Sequence, residues 1–294
     1  MIIDSHMHIG YEHLLSTEIV DFMKHKGMWE TMRARLSPQG VIETLDEADI
    51  DWGVIFPLTF MPPDGTWQAL NDMTAEYVRA YPDRLIGYAI INPRDIPATL
   101  VELERAAARL DLRGIKLHPS MQAFYPNAPE MFPVYEFAQA QGWPVLCHTG
   151  ASTASHADKY SHPLLLDEVA VNFPDLKLIM AHTGRPWYQD AGLVLRKHAN
   201  VYCDLCANVG RTGGTALLEM MLINTKVYAD GLKRMLFATD FPIFDPAAML
   251  RDLHAAAQNN LADRMGLPGL TPDELDGILW RNAAALLNLE EKVA

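Results

Sequence analysis

Ile2-Ile-Asp-Ser-His-Met-His-Ile9 opens the chain after Met1, an apolar frame around Asp4, His6 and His8. Its apolar ends predict a short buried strand. On a strand, residues two apart share a face. His6 and His8 therefore project side by side, with Asp4 one step behind them. Two neutral imidazoles so placed are half of a divalent-cation site; taken alone, such a pair is more often two hydrogen-bonded core histidines. What the rest of the chain sets beside them decides between the two.

Seven further apolar, β-branched runs follow: Gly53–Thr59, Leu85–Pro93, Arg113–Pro119, Trp143–Gly150, Leu176–Gly184, Val201–Leu205 and Arg234–Pro242. Between them the apolar spacing changes to the helical period. Leu70, Met73, Tyr77 and Val78 mark one helix over 66–81, and Leu100, Leu103, Ala107 and Leu110 another over 96–110. Similar stretches cover 129–141, 163–173, 187–197, 214–228 and 247–260. The last predicted helix, 272–287, follows Thr271 with Glu274 three residues on, a capping-box pattern. Eight strand–helix alternations predict a parallel sheet closed as a (β/α)₈ TIM barrel, with a doubly wound open sheet as the alternative. The segment between Gly10 and Pro38 exceeds what a simple connection needs and predicts a loop or lid over the barrel mouth. No linker or low-complexity stretch divides the chain, so 1–294 reads as one domain.

Apolar residues make up 49% of the 294 and charged residues 21%, enough for one large core. A formal charge of −13 argues against nucleic acid or an anionic membrane as partner. No apolar run reaches membrane-spanning length, and the first residues lack the regions of a signal peptide. Three cysteines, Cys147, Cys203 and Cys206, do not make a disulfide framework. A reducing, cytoplasmic setting is the expectation. Cys203-Asp-Leu-Cys206 has redox spacing, but on a strand its two thiols face opposite ways. Met- and Leu-bearing helix faces such as Met220-Met221-Leu222 permit a homodimer.

The chemically capable residues fall at the ends of the predicted strands. His6, His8, Lys116, His118, His148, His182 and Asp240 come from five different runs, and in a (β/α)₈ barrel such ends converge on one mouth. Singly, each has an ordinary structural explanation. Together they predict a cation site.

In these motifs the chain resembles the amidohydrolase superfamily, in its amidohydrolase-related branch of decarboxylases, lactonases and hydratases. The resemblance is carried by Asp4-Ser-His-Met-His8, Tyr81-Pro-Asp-Arg84, Gly114-Ile-Lys-Leu-His-Pro119, His148-Thr-Gly150, Ala181-His-Thr-Gly184, Thr239-Asp-Phe-Pro242 and Arg281-Asn-Ala-Ala284. It implies that His6, His8, His148 and Asp240 hold a divalent cation, with zinc expected. Asp240 would then be both ligand and proton carrier, and His182 would meet the substrate. Lys116 has two implied roles: a carbamylated bridge between two ions, with His148 and His182 serving the second, or an unmodified lysine that orients a substrate carboxylate. One ion is the expectation.

Around this centre, Arg185 is placed to clamp a carboxylate, His118 and Trp187 to contact a small-molecule substrate, and Asp204 to orient a cation-bound histidine. Tyr160, His162, Asn208, Arg211 and Gly213-Gly214 lie in neighbouring loops. The reaction expected first is metal-dependent hydrolysis of a small amide or lactone. The alternatives are non-oxidative decarboxylation of an aromatic or unsaturated carboxylic acid, and a metal-free lactonase or non-catalytic binding protein on the same barrel. His148 is followed by Thr149-Gly150 and not by the Pro-Trp of the resembling decarboxylases, which favours hydrolysis at this stage.

Overall fold

The computed structural model describes residues 1–60, 66–152, 156–207, 215–229, 232–259 and 261–289. Its strands are Ile3–Ile9, Trp52–Pro57, Leu85–Gly87 continuing as Ala89–Ile90, Ile115–Leu117, Val145–Cys147, Leu178–Met180, Val201–Asp204 and Met235–Leu236. Each pairs in parallel with the next in chain order. The third strand is interrupted at Tyr88, whose N–H donates to Ile55 O while that of Ala89 donates to Gly114 O. The first strand meets the end of the eighth: Ser5 N–H donates to Phe237 O at 3.0 Å, and Met7 bridges Phe241. The ring is closed. This is a (β/α)₈ barrel.

Two apolar layers hold it. Inside the barrel, Ile3, Val54, Phe56, Tyr88, Leu146 and Ile179 form one cluster with Ala283, Ala284 and Leu286 of the last helix, Asn282–Leu287, which plugs the lower end. The Tyr88 ring lies flat on the chain at Gly114, where a Cβ would sit 2.5 Å from it; only glycine allows that approach. Outside, the opposite strand faces pack on the helices, among them Gln68–Ala80, with Leu70, Met73 and Tyr77 buried, and Ile96–Arg109, N-capped by Asp95. The capping box predicted at Thr271 and Glu274 is present. Beyond it the predicted helix runs as three joined pieces, Pro272–Asp276, a π-helical turn Gly277–Arg281 and Asn282–Leu287.

Several strands are shorter than their apolar runs because the chain turns at the residues that carry the chemistry. His118 caps the short helix Pro119–Gln122, while His182 and Asp240 take left-handed backbones (φ 58° and 62°). Those unusual conformations are held from outside. The His182 N–H donates to Asp204 Oδ1 at 2.7 Å, and that of Asp240 to His6 O at 2.9 Å.

The long first connection is built of a 3₁₀ turn, Glu12–Leu14, and two helices, Thr17–His25 and Trp29–Arg35. Leu15, Ile19, Met23, Trp29, Met32 and Leu36 form a small core of their own against Leu58. A helix over Pro38–Glu47, begun by Ser37 and buried through Val41 and Leu45, follows where no helix had been predicted. Among the described residues, no helix is long and apolar enough to cross a membrane.

Candidate metal centre and substrate pocket

His6 and His8 leave the first strand on one side, with their Nε2 atoms 3.3 Å apart. The other nitrogen of each ring is committed elsewhere. His6 Nδ1–H donates to Asp204 Oδ2 at 2.9 Å, and His8 Nδ1–H to Pro57 O at 3.2 Å. Both rings therefore turn a lone pair into the same space. Asp240 Oδ1 enters it too, 3.4 Å from His6 Nε2 and 3.1 Å from His8 Nε2. His148 lines the adjoining pocket, and its Nε2 is buried with no hydrogen-bond partner among the described residues. Lone pairs facing each other this closely repel, and a buried nitrogen without a partner is costly. A divalent cation resolves both. Three imidazoles and one carboxylate, with a position left for water or substrate, suit a catalytic ion.

Protonation favours the same state. Burial in the first place, reinforced by the Lys116 ammonium and the neighbouring imidazoles, holds His6 and His148 well below the ordinary histidine range. His182 and His118 are pushed the same way by burial and then by His148. These rings are neutral and able to coordinate.

Asp4 and Asp204 fix the frame. Asp4, fully buried, accepts from Thr239 Oγ1 at 2.5 Å and from the backbone N–H of Thr239 and of His6 at 3.1 Å. It ties the first strand to the eighth beside Asp240. Burial raises its pKa to about 7, against the hydrogen bonds that lower it. Asp204, also fully buried, orients His6 and holds the turn at His182.

The pocket above the four donors is walled by Ile19, Phe22 and Met23 of the Thr17–His25 helix and by Leu58, Phe60 and Met121 of the barrel loops. Its polar lining includes His8, His118, His148, His182, Arg185 and Asp240. The His118 ring stacks on that of His148 with centroids 3.9 Å apart. Its Nδ1 accepts from Met121 N–H, so the neutral ring carries its proton on Nε2. Arg185 is positioned by Gly150 (φ +93°), where a Cβ would lie 2.3 Å from Arg185 O. Glycine after Thr149 is thus a packing requirement of the Arg185 loop, and the Thr-Gly pair says nothing for or against hydrolysis.

Other predicted residues do not line the pocket. Lys116 is completely buried, with Nζ 3.1 Å from His6 Nε2 and 4.6 Å from the Phe56 ring centroid. It adjoins the donors at His6 Nε2 without lining the pocket, with desolvation lowering its pKa. Trp187 packs on His162 outside the pocket, and His162 pairs with Asp190. Tyr160 meets Tyr125. Asn208, Arg211 and Gly213-Gly214 lie outside the described residues.

One residue that the spacing concealed is Cys206. Its strand ends at Asp204 and Ala207 turns left-handed (φ 60°), which brings Cys206 Sγ within 3.1 Å of His182 Nδ1 and 3.3 Å of His6 Nδ1. His6, His182, Cys206 and Asp240 each offer a ligand atom within 4.8 Å of the others, a donor group that overlaps the first at His6 and Asp240. The lid residues Phe22 and Ile19 also lacked any chemical signal in the sequence.

The family pattern described as Amidohydrolase matches residues 3–289. The chain belongs to the amidohydrolase family. Among curated relatives of this amidohydrolase, the 2-amino-3-carboxymuconate-6-semialdehyde decarboxylase of Dictyostelium discoideum is 23% identical over 242 residues. The match covers 70% of this chain and 66% of that enzyme, slightly under two thirds of its length. An uncharacterized TIM-barrel protein from Bordetella bronchiseptica superposes with a TM-score of 0.75 at 21% identity, covering 98% of each chain. A dihydroxybenzoic acid decarboxylase from Polaromonas sp. JS666, solved with manganese and the inhibitor 2-nitroresorcinol, gives 0.72 at 18% identity, covering 98% of this chain and 97% of that one. At these identities the solved structures speak for the shared barrel.

Proposed function

We propose that this amidohydrolase is a metal-dependent, non-oxidative decarboxylase of a small aromatic or unsaturated carboxylic acid. The observation that carries the reading is the pocket. The imidazoles of His8, His118, His148 and His182 and the Asp240 carboxylate line a cavity whose walls are mainly apolar and include two phenyl rings, with the Arg185 guanidinium at the side. That lining suits a flat, unsaturated body bearing a carboxylate. The decarboxylases among its relatives support the same chemistry.

In this reading His6, His8, His148 and Asp240 hold the cation, with manganese and zinc both compatible with the donors. When bound, it supplies positive charge for a substrate oxygen. The chain's own residues do the rest. Arg185 and the His118 Nε2–H orient the acid, and Phe22 and Phe60 hold its unsaturated face and exclude water. Asp240 takes up the proton that the incoming acid loses from its carboxyl group and delivers it to the carbon that carries the carboxylate. The bond to the carboxylate then breaks, its electron pair returns to the unsaturated system and CO₂ leaves. Lys116, against Phe56 and His6, stays an unmodified side chain.

The test is CO₂ release from a panel of hydroxybenzoic and unsaturated carboxylic acids by the Mn²⁺- or Zn²⁺-loaded protein, beside a panel of lactones and amides. Release of CO₂ is the expected result; turnover of the lactones or amides alone would overturn the reading. For the best acid, Arg185→Ala is expected to raise KM by roughly 10–100-fold, the loss of one charge-assisted pair. A neutral analogue should be bound equally well by both proteins, and equal losses on both ligands would remove Arg185 from substrate recognition.

A further inference from the structure

The geometry points to Cys206 as a positioning residue whose thiol sets the tautomer of His182 and, through it, that of His148. The contacts form a chain. Cys206 Sγ lies 2.9 Å from Asp204 Oδ1 and 3.1 Å from His182 Nδ1. His182 Nε2 lies 3.0 Å from His148 Nδ1, and His148 Nε2, proposed as a cation donor, is buried with no hydrogen-bond partner among the described residues. His6 Nδ1 is also near the sulfur, at 3.3 Å, but its proton has the nearer Asp204 Oδ2 at 2.9 Å.

A neutral imidazole carries one proton, so each link fixes the next. If the thiol donates to the Asp204 carboxylate, a sulfur lone pair accepts from His182 Nδ1–H. His182 Nε2 then holds a lone pair and accepts from His148 Nδ1–H. His148 Nε2 is left with its lone pair towards the site, as coordination requires. If the thiol donates to His182 Nδ1 instead, every link reverses and a proton ends on His148 Nε2, where a cation cannot bind. The carboxylate is the stronger acceptor and the closer one, so the first arrangement prevails. Asp204 thus orients His6 directly and His148 at three removes, and Cys206 is the link that makes the second path possible. The left-handed backbone at His182, tied to Asp204 Oδ1 through its N–H, holds that ring in the line.

The consequence for cation binding rests on His148 being a ligand, as proposed above; the tautomer chain itself does not. Both are read from one set of samples. Histidine ¹⁵N spectra of the metal-free protein report which ring nitrogen bears the proton, and titration with Mn²⁺ and Zn²⁺ gives affinity. Wild-type protein is expected to show His182 and His148 as Nδ1–H tautomers. Cys206→Ala should mix the tautomers at both rings and weaken cation binding by roughly 10–100-fold, while Cys206→Ser, which keeps a donor and an acceptor, should restore both. An Nε2–H tautomer at His182 in the wild-type protein overturns the proposal without any variant. So does an alanine variant with unchanged tautomers. Tautomers that shift in Cys206→Ala while wild-type protein binds neither ion would uphold the positioning role and dismiss the cation reading.

Discussion

Asp240→Asn is expected to lower the decarboxylation rate by about 10²–10⁴-fold, the range associated with loss of a positioned proton donor, while the protein stays folded. Two features separate its chemical from its structural contribution. The side chain faces the pocket and meets His6 and His8 at the donor cluster. Its structural duties belong to the backbone: the N–H donates to His6 O and the C=O accepts from Ile243 N–H, both at 2.9 Å. The left-handed φ of 62° at this position is one that asparagine also tolerates. Asparagine therefore keeps the turn and removes both the charge and the group that takes up and passes on a proton. Turnover on the best acid of the panel, measured beside the thermal midpoint, checks this. A variant with near-normal rate would take the proton-carrier role away from Asp240.

Asp204→Asn is expected to weaken Mn²⁺ or Zn²⁺ binding by roughly 10–100-fold, as loss of a partner behind a ligand histidine generally does. It should also cost about 1–3 kcal/mol of stability. The carboxylate is completely buried and accepts on both oxygens. Oδ1 takes the His182 N–H, the Cys206 thiol and, at 3.3 Å, the Cys206 N–H, while Oδ2 takes His6 Nδ1–H. An amide has one oxygen. Whichever way it turns, its NH₂ faces a group that was donating, and a buried donor loses its acceptor. If the amide nitrogen meets His6, that ring is driven to carry its proton on Nε2, against the cation. Cation titration and the unfolding midpoint of the purified variant measure the two effects. Wild-type affinity in Asp204→Asn would show that His6 keeps its orientation without the carboxylate.

Much of the fold was legible because barrel strands buried on both faces are short apolar runs and the helices between them are amphipathic. Val145-Leu-Cys147 and Leu178-Ile-Met180 have this form. His6 and His8 could be paired because a strand fixes which residues share a side. Details set by tertiary contact were not legible. Tyr88 interrupts a run that reads as one strand, because its ring turns onto Gly114. Cys206 shares the face of Asp204 on a continued strand, but its approach to His182 depends on the left-handed turn at Ala207, which no residue pattern announced. Lys116 alternates correctly on its strand yet ends against Phe56 and His6 Nε2 and not on the pocket wall, since strand position does not say how far a side chain reaches. Trp187 follows Arg185 by two residues, but the chain has already turned outward to His162. The lid had no motif to announce its part in the pocket; its helices earn their place by packing alone.

The most direct measurement of the cation centre is elemental analysis of the protein purified without added metal or chelator, repeated after reconstitution with Mn²⁺ and Zn²⁺. The proposed donors His6, His8, His148 and Asp240, with Lys116 unmodified, predict a single equivalent of divalent metal per chain. A chain that holds none even after reconstitution, or one that holds two, would contradict that centre.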